Sequence, residues 1–308
     1  MGSPDFAVPS LEHLSRVYRV VGVVTQPDRP AGRGKILTAP PVKELALKLG
    51  IPVIQPSKVS DPTAMRQLEG WQPDLIVVAA FGQILKPALL ALPPYGCINV
   101  HASLLPRWRG AAPIAAAILH GDQETGITLM KMDEGVDTGP ILRQRKIPIL
   151  DSDNSLSLST RLAQLGAELL IETLPDYLDG KIIPQEQDHE KATYAPMLKK
   201  EEGELDFHLP AKILWRKVRA FNPWPAAYTY IAGNRLLIHE AVPIDVEHNY
   251  PAGQTLRYQK KAVIATAEGL LELRVVQPSG KKAITGKDLM NGYREWGHII
   301  LPQRNSHS

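Results

Sequence analysis

The stretch Asp74-Leu75-Ile76-Val77-Val78-Ala79-Ala80 decides the fold class of this chain. It follows Pro73 and ends at Phe81-Gly82, and its apolar residues are continuous rather than alternating. A strand that is apolar on both faces is typical of a parallel sheet covered by helices. We therefore predict an α/β protein in which this segment is a buried parallel strand.

Strand-like and helix-like patterns alternate on both sides of that run. The predicted strands cover 18–25, 53–55, 75–80, 96–100 and 127–132, and the predicted helices cover 41–49, 62–68, 111–119 and 155–178. Such alternation indicates βαβ units. We expect a Rossmann-like domain with a mostly parallel sheet over residues 1–190, followed by a polar linker at 191–205.

The last third of the chain has a different pattern. A short helix is predicted to begin at Pro210, and strand-like runs follow at 226–231, 235–244, 262–267 and 270–276. Several short strands separated by turn residues favour a small barrel. We predict an OB-like β-barrel domain over residues 206–308.

Composition narrows the class of protein. The chain has 308 residues, which favours two domains, and a single cysteine, Cys97, which excludes an internal disulfide. We find no apolar run long enough for a membrane span and no signal leader, so we expect a cytoplasmic protein without a membrane partner.

Residues 205–308 carry 14 Lys or Arg and 8 Asp or Glu. This excess indicates either a polyanionic partner or simply a solvated basic surface.

Polar side chains cluster where two predicted strands end. Asn99 and His101 come at the end of the strand at 96–100, and with Ser103 they share one face of an extended segment. Asp137 lies in a glycine-bearing loop after the strand at 127–132. Ligands of open α/β sheets bind beyond the carboxyl ends of the strands. An amide, an imidazole and a carboxylate there suit acyl transfer, although such residues also serve simply as turn and half-buried polar groups.

Longer motifs give this cluster a family resemblance. The motif around this cluster resembles that of the folate-dependent formyltransferases. It consists of Asn99, His101, Ser103, Leu104-Leu105-Pro106 and Arg109-Gly110, together with Asp137. Three stretches are similar to the branch of that family that formylates initiator methionyl-tRNA: Gly2-Ser3-Pro4-Asp5-Phe6-Ala7-Val8-Pro9-Ser10, Arg107-Trp108-Arg109-Gly110-Ala111-Ala112-Pro113 and Phe221-Asn222-Pro223-Trp224-Pro225. The resemblance runs nearly end to end, and it too implies a Rossmann-like domain followed by an OB-like tRNA-binding domain.

The resemblance implies that 10-formyltetrahydrofolate is the formyl donor and assigns a site to it. Asn99 and His101 are expected to donate to the tetrahedral oxyanion, while Asp137 orients the imidazole and relays a proton. The family further implies that the segment Ser103, Leu104, Leu105 and Pro106 forms a wall against the folate. Gln83, Ile84 and Leu85 follow the buried strand and are candidates to frame the pterin, or are plain core residues.

A long loop is the candidate contact to tRNA. Residues 26–41 form a connection longer than usual, with Arg29, Arg33 and Lys35 among Pro and Gly. The resemblance implies that this loop enters the acceptor-stem end, the alternative being a disordered surface excursion. Lys199 and Lys200 are further candidates, grouped with the basic C-terminal part of the chain that is expected to track the tRNA backbone. Such phosphate contacts predict binding that weakens steeply with salt.

Other interpretations share the same catalytic residues. They are a formyltransferase with a glycinamide ribonucleotide or amino-sugar acceptor, a formyltetrahydrofolate hydrolase, and a non-catalytic RNA-binding relative. The nine histidines show no metal-ligand spacing, so we expect no metal, and we expect a monomer.

The start of the chain departs from the family pattern. The resemblance implies an apolar strand of about five residues before Gly2, at the centre of the sheet, and only Met1 stands there. We therefore expect Met1 to be an internal methionine of a longer natural protein.

Overall fold

The computed structural model describes residues 1–31, 34 and 36–302. The chain divides into two compact units. The first consists of Met1–Pro113, Glu124–Pro148 and Leu158–Pro196, and the second of Ile114–Gln123, Ile149–Ser157 and Met197–Ser308. The boundaries 1–190, 191–205 and 206–308 inferred from sequence stay a prediction.

The strands and helices follow one another along the chain as the alternating pattern predicts. The strands are β1 (Val23–Val24), β2 (Arg29–Ala31), β3 (Ile36–Thr38), β4 (Val53–Ile54), β5 (Ile76–Val78), β6 (Cys97–His101), β7 (Arg109–Gly110), β8 (Glu124–Lys131), β9 (Ile141–Pro148), β10 (Tyr194–Ala195), β11 (Ala227–Ile231), β12 (Asn234–Ile244), β13 (Thr255–Tyr258), β14 (Lys261–Ala265), β15 (Leu270–Pro278) and β16 (Ile284–Thr285). The helices are α1 (Val8–Val17), α2 (Pro41–Lys48), α3 (Pro62–Trp71), α4 (Pro87–Leu90), α5 (Pro113–His120), α6 (Ser155–Leu178), α7 (Ala211–Ala220) and α8 (Gly286–Gly292).

The sheet of the first unit confirms the Rossmann-like, parallel prediction. β1 pairs with β4 and β5 pairs with β6, both in parallel, and Gly2 forms a parallel bridge to Ala79. β8 and β9 extend the sheet beyond β6 as antiparallel strands, in the order β5-β6-β8-β9. An antiparallel edge on a parallel sheet is common. The site residues predicted at the end of β6 therefore lie in the interior of this sheet.

The beginning of the chain lies between β1 and β5. The Gly2 amide donates to the Val24 carbonyl, and the Met1 carbonyl accepts from the Ala79 amide. Burial lowers the pKa of the Met1 amino group to about 6. A cavity of about 250 Å³ adjoins this segment, lined mainly by apolar residues including Val21, Leu75 and Trp71. Met1 and Gly2 thus hydrogen-bond to the segment that follows β5 on one side and to β1 on the other.

Helix α6 covers the sheet because its buried residues recur at helical spacing. Leu158, Leu162 and Leu169 are buried on one face. At Gly166 an added Cβ would lie 2.7 Å from a methyl of Val100, so glycine allows the helix to approach β6 closely. The predicted bounds of this helix, 155–178, are confirmed.

The second unit confirms the small antiparallel β domain. Its sheet has the order β11-β12-β15-β14-β13, and β16 pairs with β15. Among the described residues no pairing joins β11 to β13, so backbone hydrogen bonds do not close the sheet into a barrel. Leu214 and Val218 of α7 contribute to its buried core, together with Leu271.

Several predicted elements need correction. The strand expected at 18–25 is limited to Val23–Val24, and the connection at 26–41, predicted as a long loop, contains β2 and β3 as an antiparallel pair. The sequence patterns did not indicate β9, β13, β16 or α8. Across the described ranges, every helix is too short or too polar to cross a bilayer.

Candidate active site

The structure brings Asn99, His101 and Asp137 together. The Asn99 amide Nδ2 donates to Asp137 Oδ1 at 3.2 Å, and His101 Nδ1 lies 3.6 Å from the same oxygen. His101 is buried, Asn99 is half-buried and the Asp137 side chain is 13% exposed. The cluster therefore centres on one carboxylate oxygen that the amide and the imidazole both face.

One ring nitrogen of His101 is hydrogen bonded, and the other faces Asp137. Nε2 lies 3.0 Å from the Trp108 carbonyl oxygen, which can only accept, so Nε2 carries a hydrogen. Nδ1 then faces Asp137. This arrangement fixes the plane of the ring, and it leaves the imidazole oriented toward the carboxylate.

The second carboxylate oxygen of Asp137 is held by the backbone. Asp137 Oδ2 accepts from the Gly110 amide at 2.8 Å. Gly110 has a φ of +109°, and an added Cβ would lie 2.7 Å from the Ala195 carbonyl oxygen on β10. Glycine is required here because β7 and β10 approach so closely. Asp137 itself has a φ of +53°, which is rare for a residue other than glycine.

Arg109 and Gln187, which have no role assigned from the sequence, are linked to the loop that carries this carboxylate. Arg109 is 1% exposed and donates through Nε and Nη2 to Gln187 Oε1 at 3.1 and 2.7 Å. Gln187 in turn contacts the loop that carries Asp137. Arg109 belongs to the Arg109-Gly110 motif and could have been considered, whereas Gln187 lies in a polar stretch that gave no signal.

The predicted folate wall at 103–106 is held rigidly. Ser103 is buried and its hydroxyl donates to the Arg107 carbonyl at 2.5 Å. The Leu105 amide donates to Thr128 Oγ1, and the Leu105 carbonyl accepts from Gln144. The Leu105 side chain is also buried, so the half-buried Leu104 and Pro106 carry the surface that remains accessible.

The three residues after the β5 strand have different environments. Ile84 is 72% exposed, which is unusual for an aliphatic side chain, while Leu85 is buried in the core. The Gln83 side chain accepts from the Val59 amide at 2.7 Å and donates to the Pro56 carbonyl at 3.1 Å. Gln83 therefore fixes a neighbouring loop, while the Ile84 side chain stays exposed.

The candidate tRNA contacts are only partly described. Arg29 is exposed and donates to Gln26, and Lys199 and Lys200 are exposed as well. Arg33 and Lys35 lie outside the described residues. At the base of the same loop, Lys43 donates to both oxygens of Asp28 at 2.8 Å, which holds the pKa of that carboxyl below its ordinary value.

Groups of His, Cys, Asp or Glu that could hold a metal ion do not occur in the part of the chain that the structure describes. The cluster provides an amide donor, a fixed imidazole and a carboxylate. Those groups can stabilise an oxyanion and move a proton.

Known proteins match both parts of the chain. The family model for formyl transferases matches residues 8–174, and that for the formyl transferase C-terminal domain matches residues 197–294. A methionyl-tRNA formyltransferase of Myxococcus xanthus is 47% identical, over 96% of this chain and 94% of that protein. The chain belongs to the methionyl-tRNA formyltransferase family. The relative from Xanthomonas axonopodis pv. citri is 49% identical, over 96% of each chain.

Solved structures of more distant formyltransferases share the fold. WlaRD, a sugar 3N-formyl transferase, has a TM-score of 0.67 at 18% identity, over 91% of this chain and 97% of that one. HypX from Aquifex aeolicus in complex with tetrahydrofolic acid has a TM-score of 0.61 at 17% identity, over 91% of this chain and 50% of that one. At such identities the likeness concerns the fold alone. It confirms the two-part α/β and β architecture predicted for this member of the methionyl-tRNA formyltransferase family.

Proposed function

We propose that this protein transfers the formyl group of 10-formyltetrahydrofolate to the α-amino group of initiator methionyl-tRNA, which gives N-formylmethionyl-tRNA for translation initiation. The observation that carries the proposal is the end-to-end similarity to methionyl-tRNA formyltransferases, which includes the second domain as well as the catalytic one. A catalytic-domain match alone would leave the acceptor open. A charged tRNA is a cytoplasmic substrate, and we propose a cytoplasmic monomer.

The reaction needs a proton acceptor and an oxyanion donor. The free amine of the methionyl ester attacks the formyl carbon, its nitrogen forms the new C–N bond, and the carbonyl oxygen becomes an oxyanion. Collapse of this intermediate breaks the bond from carbon to N10, with the electron pair passing to N10. The amine proton must travel from the attacking nitrogen to N10.

Asn99 and Asp137 are assigned to these two tasks. One hydrogen of the Asn99 amide is committed to Asp137 Oδ1, and the other can donate to the oxyanion. A hydrogen-bond donor directed at an oxyanion stabilises the transition state by about 3–4 kcal/mol. Asp137 accepts the proton from the amine and passes it to N10.

His101 is assigned to the support of Asp137. Because its Nε2 is committed to the Trp108 carbonyl, the ring is fixed with Nδ1 3.6 Å from Asp137 Oδ1, and it limits the orientation of the carboxylate. The direct contribution to the oxyanion expected from His101 would require the ring to give up one of these partners. His101 is therefore proposed as a positioning residue.

The folate site is proposed beside this cluster. Ile84, Leu104 and Pro106 offer accessible apolar surface that fits the flat pterin ring of 10-formyltetrahydrofolate. The side chains behind this surface are buried or hydrogen bonded elsewhere in the protein, and we propose that they support it. They belong to Ser103, Leu105, Gln83 and Leu85. 10-Formyltetrahydrofolate supplies the formyl group as a cosubstrate, and the proposal includes no metal.

The tRNA site is proposed to use both domains. Arg29, Arg33 and Lys35 of the loop at 26–41 are assigned to the acceptor-stem end, and Lys199 and Lys200 to the phosphate backbone. The exposed position of Arg29, Lys199 and Lys200 supports this assignment. The excess of 14 basic over 8 acidic residues in 205–308 supports a polyanionic partner for the second domain.

A comparison of four acceptors tests the proposal. The purified protein is incubated with 10-formyltetrahydrofolate and, separately, with initiator methionyl-tRNA, elongator methionyl-tRNA, an amino-sugar nucleotide and glycinamide ribonucleotide. We expect formylmethionine on the initiator tRNA. Formyl transfer to the sugar or to the glycinamide nucleotide, or release of formate without an acceptor, would overturn it.

A further inference from the structure

Gln187 connects the active-site loop to a buried cation. Its amide Nε2 donates to the Asp137 carbonyl at 3.0 Å and to the Gly139 carbonyl at 2.7 Å. Its Oε1 accepts from Arg109 Nε and Nη2. Gln187 is 5% exposed, and these four contacts use both sides of the amide. The side chain therefore spans the segment 137–139 and holds both of its ends.

Arg109 fixes the orientation of that amide. A guanidinium can only donate, so it selects the oxygen of Gln187 and turns the NH₂ group toward the two carbonyls. A reversed amide would place NH₂ against the guanidinium and an oxygen against two oxygens. Arg109 Nη2 also contacts His189 Nδ1 at 3.1 Å. Burying a charge without such hydrogen-bond partners costs free energy. The buried guanidinium of Arg109 therefore stays bound to Gln187 and fixes its position.

Strand β7, which carries Arg109, also contacts Asp137 through Gly110. The Gly110 amide, adjacent to Arg109, donates to the Asp137 carboxylate. β7 thus holds the carboxylate directly through Gly110 and the backbone of Asp137 indirectly through Arg109 and Gln187. Asp137 has a φ of +53°, a conformation that costs about 1 kcal/mol or more and persists only when its surroundings enforce it.

We propose that Gln187 and Arg109 are positioning residues for Asp137 in formyl transfer. Neither needs to touch the substrate. Their contribution is to keep the Asp137 carboxylate aligned with the reacting amine, and this inference rests on the proposed function. A misplacement of about 1 Å can reduce turnover about 100-fold.

The substitution Gln187→Glu removes the donor side of the amide and keeps its acceptor side. A glutamate keeps the acceptor for Arg109 but replaces the NH₂ group with an oxygen that faces two carbonyls. We expect kcat to fall about 10- to 100-fold with KM for folate and for tRNA unchanged. Gln185→Glu makes the same change of charge at an exposed position two residues away and should leave kcat unchanged.

A double variant distinguishes positioning from a general loss of structure. In an Asp137→Asn background, Gln187→Glu should lower the residual kcat little further, since the two changes act through the same group. An equally large loss in both backgrounds, or a full kcat in Gln187→Glu, would overturn the proposal. If Gln187→Glu does not fold, Arg109→Lys keeps the charge, loses the forked donation and should reduce kcat in the same way.

The Gly110 amide provides a readout that does not depend on activity. Its NMR chemical shift reports the hydrogen bond to Asp137, so we expect it to move in Gln187→Glu and to stay in Gln185→Glu. An unchanged Gly110 shift in Gln187→Glu would contradict the proposal. If the wild type formylated no methionyl-tRNA, the proposed function would be wrong, and this shift would decide by itself whether Gln187 positions Asp137.

Discussion

The amide nitrogen Nδ2 of Asn99 and the carboxylate oxygen Oδ1 of Asp137 lie 3.2 Å apart, although 38 residues separate them in the chain. Asn99 is on β6 and Asp137 follows the neighbouring strand β8. The other carboxylate oxygen is committed to Gly110. The chemistry assigned to this site therefore depends on a single oxygen of Asp137.

Asp137→Asn should abolish proton transfer while preserving the shape of the loop. A carboxamide can still accept from Gly110, but it cannot take a proton from the amine. We expect kcat to fall about 100-fold or more, with KM changed little, in a steady-state formylation assay. Glu134→Gln, at an exposed position in the same loop, is the matched control and should remain fully active. Comparable rates for the two variants would refute the assignment.

Gly110→Ala should damage stability and catalysis together. The new Cβ would meet the Ala195 carbonyl at 2.7 Å on a backbone with φ +109°. We expect a loss of about 1–3 kcal/mol in the free energy of unfolding, measured with urea, and a reduced kcat. Gly50→Ala isolates the effect of backbone conformation, because Gly50 has φ +68° and open space around it. An equal loss in both variants would show that the contact with β10 is unimportant.

Cys97 should be unreactive until the protein unfolds. It is 1% exposed on β6, and burial raises the pKa of its thiol to about 11. At pH 8 we expect an aromatic disulfide reagent to label the folded protein only at the rate of unfolding. Because the unfolded thiol ionises near pH 9.0 and the folded thiol near 11, its contribution to the free energy of unfolding should decrease between those values. Cys97→Ala should lack that part of the pH dependence, and rapid labelling of the native protein would contradict the burial.

Arg29→Ala should weaken tRNA binding in a salt-dependent manner. One lost phosphate contact should reduce the slope of log affinity against log salt by about 1. The measurement is a titration of charged tRNA at several salt concentrations. Arg66→Ala removes the same charge from an exposed position on α3 and should leave the slope unchanged. Identical slopes for the wild type and Arg29→Ala would exclude Arg29 from the interface.

The sequence was sufficient for the features that depend on local pattern. The continuous apolar run at 75–80 and the helical spacing at 155–178 have strong periodic signals, and both elements are present. The position of Asn99 and His101 followed from the rule about the carboxyl ends of strands. Asp137 does not follow that rule, because β8 is antiparallel to β6 and ends at Lys131 opposite Ile98. The family resemblance then identified the reaction.

The remaining features depend on contacts that no local pattern records. β9 alternates exposed and half-buried residues, so it lacks the apolar run that marks a buried strand. Gln187 is oriented by Arg109, which is 78 positions away in the chain. Spacing places Ser103 on the same face as Asn99 and His101, and the turn at 103–108 directs its hydroxyl to the Arg107 carbonyl. Spacing specifies which residues can meet, whereas tertiary packing decides which of them do.

The position of Met1 has a practical consequence for handling the protein. Its amino group donates to the Val77 carbonyl, and the adjoining cavity is lined by Leu75, Ile76 and Val77. Any residue fused ahead of Met1 must therefore run beside β5 into apolar surroundings. A polar sequence directly before Met1 would have to be dehydrated or would pull Met1 and Gly2 out of the sheet, so that position favours apolar residues.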